Sequence, residues 1–98
     1  MIVEFSAEAE SDLEQIADYI AGDNPQRALS FVQELRQKCE ALAYAPLAFP
    51  VVPRYENHDV RRRAYGNYLI FYRAEARRVV ILHILNGAMD YAALLFEE

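Results

Sequence analysis

The chain has no tryptophan, one cysteine, two histidines and three glycines among its 98 residues, and no lysine after Lys38. Each scarcity closes off a class of protein. A lone Cys39 cannot form an internal disulfide, and its place on an apolar helical stripe reads as a buried thiol in a cytoplasmic protein. Two histidines, His58 in a loop and His83 in an apolar stretch, are too few for a metal-ligand cluster. No glycine-rich phosphate loop or serine–histidine–aspartate set can be assembled either, so no cofactor is expected. With three glycines, four prolines and 54% hydrophobic residues, the composition is that of a folded domain and not of a disordered segment. The longest apolar run, Val79 to Leu85, is interrupted by His83 and falls far short of the roughly 20 residues that span a bilayer. The first residues show neither a basic nor an apolar leader region. The length accommodates one domain, 1–98.

Against these absences the charge is sharply divided. Residues 1–26 carry seven acids (Glu4, Glu8, Glu10, Asp12, Glu14, Asp18, Asp23) and no Lys or Arg. The segment from Arg54 to Arg78 holds seven of the ten basic residues, all arginines, against three acids (Glu56, Asp59, Glu75), a local net of +4 in a chain of net −5. Tyr55, Tyr65, Tyr68 and Tyr72 are threaded among those arginines. A two-sided field of this kind orients a charged partner, whereas net charge alone bears mainly on solubility.

The hydrophobic spacing predicts an α+β chain. Ile2 to Phe5 alternates with the period of a strand, and Ser6 can cap a helix beginning at Ala7. Ala9, Leu13, Ile16, Ala17 and Ile20 share one face of that helix, with Glu8, Asp12, Glu14 and Asp18 turned to solvent. Asn24-Pro25 reads as a cap followed by proline at the first helical position, opening a second helix. Its stripe is Ala28, Val32, Leu35, Cys39 and Leu42, widened by Leu29 and Phe31, and the two helices form an antiparallel hairpin. Pro46, Pro50 and Pro53 then mark a connection of roughly fourteen residues, a length often tied to function. Beyond it lie Val60–Tyr65, a turn at Gly66-Asn67, Tyr68–Arg73 and Arg77–Leu85, a three-stranded antiparallel meander, with a short helix after Asn86-Gly87. The last two strands are apolar on both faces. One face covers the helices, and the other needs the C-terminal segment, neighbours of the first strand or another protein to cover it.

Arg61, Arg62 and Arg63 alternate across a strand, so Arg61 and Arg63 share a side. With Arg73, Tyr65 and Tyr68 they can form a basic aromatic surface, or they can simply guard a sheet edge against pairing. His83 reads more readily as a strand histidine satisfied by a neighbour than as a base, and His58 as a solvated loop residue.

The order of elements resembles the RelE/ParE superfamily of bacterial toxins. The resemblance runs through Ala9–Ile16, Tyr19-Ile20, Asn24-Pro25 with Ala28, and Leu42-Ala43 leading to Pro46. It continues through the arginine before Tyr68–Arg73 and through Val80–Asp90, and is nearest the ParE branch. RelE-like members cut messenger RNA on the ribosome, using basic groups and proton-transfer side chains around the phosphate. Arg63 falls where those nucleases carry a sheet arginine. After the last strand, however, this chain reads Gly87-Ala88-Met89-Asp90, and it runs on to Leu94-Leu95-Phe96 where they place a tyrosine or histidine.

The ParE resemblance implies a toxin of a type II toxin–antitoxin pair that binds and inhibits DNA gyrase. It implies no catalysis by the toxin, no membrane contact and no sequence-specific nucleic-acid binding of its own. The target-binding residues expected on that basis are Arg61, Arg63, Tyr65, Arg73, Met89 and Asp90. A ParD-like antitoxin is expected to cover Leu13, Ile16, Ile20, Ile70, Tyr72 and Leu82. The alternatives are a RelE-like endoribonuclease with a degenerate site and a non-toxic corepressor that acts through its antitoxin.

Overall fold

The computed structural model describes residues 1–96; Glu97 and Glu98, the end of the predicted domain, lie outside the described residues. Strand β1 (Ile2–Phe5) leads into helix α1 (Ala7–Ala21), which turns at Gly22 into α2 (Pro25–Glu40). Both starts follow the sequence signals. Ser6 Oγ accepts from the Ala9 amide at 3.0 Å, and Asn24 Oδ1 accepts from the Arg27 amide at 3.0 Å with Pro25 in the first turn. After a 3-10 turn at Ala41–Ala43 and the proline-bearing connection, β2 (Arg61–Tyr65), β3 (Tyr68–Ala74) and β4 (Arg78–Asn86) form the meander. A short helix, α3 (Ala92–Leu95), follows. Gly66 takes φ +59 in the two-residue β2–β3 turn, a left-handed conformation that costs other residues energy.

The expected α+β architecture is present, with one addition. The sheet has four strands in the order β1-β4-β3-β2, because β1 pairs parallel to β4 with Ile2 opposite Arg78 and Phe5 opposite Ile81. β1 ends at Phe5, so β4 from Leu82 onward has no strand on that side. A register shift also falls there: Phe71 faces His83 and Tyr72 faces Ile81, leaving Leu82 as the extra residue of a bulge. Side chains at the start of α1 replace the missing strand. Ser6 Oγ donates to the Leu82 carbonyl at 2.8 Å, and Asp12 Oδ2 accepts from the Ile84 amide at 2.8 Å. Asp12 therefore points into the protein, correcting the expectation that it faces solvent.

The helical hairpin covers one sheet face, where Ala9, Leu13, Ile16, Leu35, Cys39, Ile70, Tyr72, Val79, Ile81 and Ile84 form the larger core. Leu29 is 71% exposed and does not widen the α2 stripe as expected, whereas Phe31 does. The opposite face is covered by the chain itself. Val52 and Val60 of the connection and Phe96 of the tail pack on Phe71 and Leu85. Tyr72 is fully buried and donates its hydroxyl to the Pro46 carbonyl at 2.7 Å, which avoids the cost of an unpaired polar group in the core. No helix among the described residues is long and apolar enough to cross a membrane.

Candidate functional site

Four arginines of the 54–78 segment, Arg61, Arg62, Arg63 and Arg73, are fasteners. Arg61 donates to the Phe49 carbonyl at 2.7 Å and, more weakly, to that of Leu47 at 3.4 Å. Arg63 donates to the Lys38 carbonyl at 3.2 Å and lies 4.8 Å over the Phe49 ring. On the other side of β2, Arg62 donates to the Tyr91 hydroxyl at 2.7 Å, and the Tyr91 ring packs 4.8 Å from Phe71. Arg73 reaches toward the His58 carbonyl at 3.5 Å. A guanidinium presents five donors in a planar fork, which suits it to gather carbonyls from a loop with no regular partners. These residues thereby hold the connection and the tail against the sheet.

The six expected target-binding residues occupy three places. Arg61, Arg63 and Tyr65 gather where β2 meets the end of α2. Arg73 lines a hollow with Ser6, Glu8, Val60 and His83, and Met89 and Asp90 lie in the exposed turn after β4. Of the six expected antitoxin contacts, Leu13, Ile70 and Tyr72 are core residues with almost no surface, Ile16 is buried but shows an edge in a surface groove, and Ile20 and Leu82 remain partly exposed. The long loop also departs from expectation, since His58 is half-buried. Its ring packs 4.7 Å from Phe96, which in turn stacks on Tyr55 at 4.1 Å and 5°. Arg54 and Asp59 take positive φ in this loop, at 74° and 59°. Such backbone is held by its surroundings, here the aromatic stack and the Arg73 contact.

Beside the arginines, Glu34 accepts two bonds from Arg27, at 2.7 and 3.2 Å, and one from the Tyr65 hydroxyl at 2.7 Å. The Arg27 bonds, then the Tyr65 bond, hold the Glu34 carboxyl below its ordinary value of 4.5, and the same contact raises the Tyr65 phenol above 10. A depressed carboxylate stabilises the fold above its unfolded pKa, and that contribution is lost as pH falls through the folded one. Carbon-detected titration should accordingly find Glu34 half-protonated below pH 4.5 and the Tyr65 ring shifting in step with it. A Glu34 midpoint at or above 4.5 would mean that the cluster does not persist in solution. Cys39, by contrast, is fully buried, and burial pushes its thiol up to about 12, which disfavours the reactive thiolate.

Sequence reasoning missed two features. One is the Arg62–Tyr91 bond. The other joins Asp12 to His83, whose Nδ1 lies 2.7 Å from Oδ2 of the carboxylate. Partners so far apart in sequence give no periodic signal. Asp12 and His83 line a groove of about 380 Å³ between α1 and the segment after β4. A second groove of about 410 Å³, largely apolar, runs along the hairpin between Ala17, Ala21, Leu29 and Val32.

The sheet thus fastens its own loops with arginine and leaves its grooves on the surface. Residues 3–91 match the model of the ParE toxin of the type II toxin–antitoxin system parDE, so the chain belongs to the ParE toxin family. It is similar in fold to a chain of the chromosomal ParDE toxin–antitoxin system from P. aeruginosa, with TM-score 0.73 and 22% identity, over 88% of this chain and 95% of that one. A chain of the RelBE2 toxin–antitoxin complex from Mycobacterium tuberculosis is similar with TM-score 0.65 and 22% identity, over 87% of this chain and 95% of that one. None of the curated proteins matches.

Proposed function

We propose that this toxin inhibits DNA gyrase by binding it, without chemistry of its own, and that a ParD-like antitoxin holds it in check. Membership of the ParE family supports the target, and one observation supports the absence of catalysis. Arg61 and Arg63, the arginines that a phosphate-cleaving site on this sheet would draw on, donate to the carbonyls of Leu47, Phe49 and Lys38. Stabilising charge on a phosphate in flight needs donors aimed at the reacting oxygens, and losing one costs on the order of a hundredfold to a thousandfold. The exposed turn after β4 offers Met89 and Asp90, neither of which carries a cationic donor for an anion.

Met89 and Asp90 are both exposed, so they carry the target contact in this reading, with Arg61, Arg63, Tyr65 and Arg73 as further contacts at their own two places. The antitoxin contact rests on Ile20 and Leu82 and on the apolar side chains around them. In gyrase assays the purified toxin should block supercoiling and accumulate gyrase-linked breaks. Joint replacement Met89→Asp with Asp90→Arg should weaken both about tenfold or more while leaving the melting temperature nearly unchanged, since surface substitutions away from special features cost little. Unaltered supercoiling at saturating toxin would defeat the gyrase reading. Transcripts cut at codon-spaced positions would favour the endoribonuclease.

A further inference from the structure

Among the described residues that line the groove between α1 and the segment after β4, none is a lysine or arginine. α1 supplies Asp12, Gln15, Ile16 and Tyr19; β3 and β4 supply Tyr68, His83, Ile84 and Leu85; Asn86, Met89 and Leu94 close the far side. Tyr19, Met89 and Leu94 are 80%, 42% and 52% exposed, an apolar rim around a polar floor.

The floor presents acceptors. Asp12 Oδ2 is engaged by the Ile84 amide and by His83 Nδ1, and a 2.7 Å approach of nitrogen to carboxylate requires the proton to sit on that nitrogen. A ring that carries its single proton on Nδ1 has Nε2 as an acceptor. Among the described residues neither Asp12 Oδ1 nor His83 Nε2 has a partner, and neither is sealed from solvent. Gln15 donates its amide nitrogen to Ser11, which leaves its oxygen available as well. Two tyrosine rings stand at one end. Both Tyr19 and Tyr68 line the groove, and the Tyr68 phenol is raised first by burial and then by the Tyr19 hydroxyl. Carboxylate, imidazole and amide acceptors beneath aromatic faces and an apolar rim suit a donor-rich, delocalised cation with an aliphatic stem.

We propose that this groove is a socket for an arginine side chain of a partner protein, carried in a segment whose neighbouring residues are apolar. The guanidinium sits over Asp12 and His83, its stem runs along Ile16 and Leu94, and the flanking apolar residues rest on Tyr19 and Met89. The acidic helix carrying Asp12 also steers a basic segment toward the groove. The proposal rests on the reading that this toxin works by holding other proteins, and it adds the chemistry by which one of them is recognised.

The test uses the full chain and an acetylated, amidated hexapeptide of alternating leucine and arginine, followed by amide NMR. Shifts should map to α1, β4 and the 86–94 segment. Replacing arginine by neutral, isosteric citrulline should weaken binding about tenfold, the scale of a lost charge-assisted bond. Asp12→Asn keeps an acceptor for the Ile84 amide and should weaken binding about tenfold. Tyr19→Ala, at a side chain too exposed to affect folding, should cost about threefold. Asp18→Asn, on the same helix outside the groove, should change binding less than twofold. Equal binding of the citrulline peptide, equal loss in the Asp18 variant, or shifts elsewhere on the surface would overturn the proposal. A toxin that binds the arginine peptide as described but leaves gyrase untouched would overturn the gyrase reading alone.

Discussion

Asp12→Ala should lower stability by about 3 kcal/mol, the larger part from a buried backbone N–H left without an acceptor. Ile84 is 1% exposed and its amide meets Asp12 at 2.8 Å, so water cannot readily take over the bond. His83 loses its partner in the same step. For a chain of this size that loss corresponds to a fall in melting temperature of roughly 15 °C. Asp12→Asn retains an oxygen for the amide and should cost about 1 kcal/mol. Urea unfolding of both variants decides it. If alanine and asparagine cost the same, the Ile84 bond is not what makes Asp12 matter.

Phe96→Ala should destabilise by about 3 kcal/mol, at the low end for a buried phenylalanine because the cluster it leaves is small and close to the surface. Phe96 is 5% exposed, stacks on Tyr55 and lies over the sheet face formed by Phe71 and Leu85. Its removal unlocks the tail and the 54–59 loop together, so dye binding to exposed apolar surface should rise under native conditions. Loss of stability without new dye binding would show that the face collapses onto other side chains instead of opening.

What the sequence disclosed follows from how local each signal is. Helix starts at Ser6 and Asn24, the stripe through Leu13 and Ile16, and the Gly66-Asn67 turn are each written within a few residues, and the structure has them all. The pairing of β1 with β4 joins residues 76 apart, as Ile2 does with Arg78, and no short window contains it. The candidate site was harder to read because its side chains have two uses. A run of arginines beside tyrosines is written the same way whether it faces a partner or ties down a loop. Only the distances to the Phe49, Lys38 and Tyr91 acceptors separate the two. Ile70 and Tyr72 read as apolar surplus in sequence, but the helical hairpin covers them, while Val52 and Phe96 cover Phe71 on the opposite face of the same strand.

The position of β4 between β1 and β3 also decides when the molecule can exist at all. The strand made last is the one that joins the first strand to the rest, so the helical hairpin leaves the ribosome before there is a sheet for it to lie on. Contacts of such long sequence separation form late, and the segments awaiting them stay exposed in the meantime. A chain interrupted before Arg78 has no partner for β1, nothing to receive Ser6 and Asp12, and one bare edge of β3. A chain halted before Arg78 therefore lacks the strand that ties β1 to β3, and it yields an unfolded fragment instead of a weakened fold.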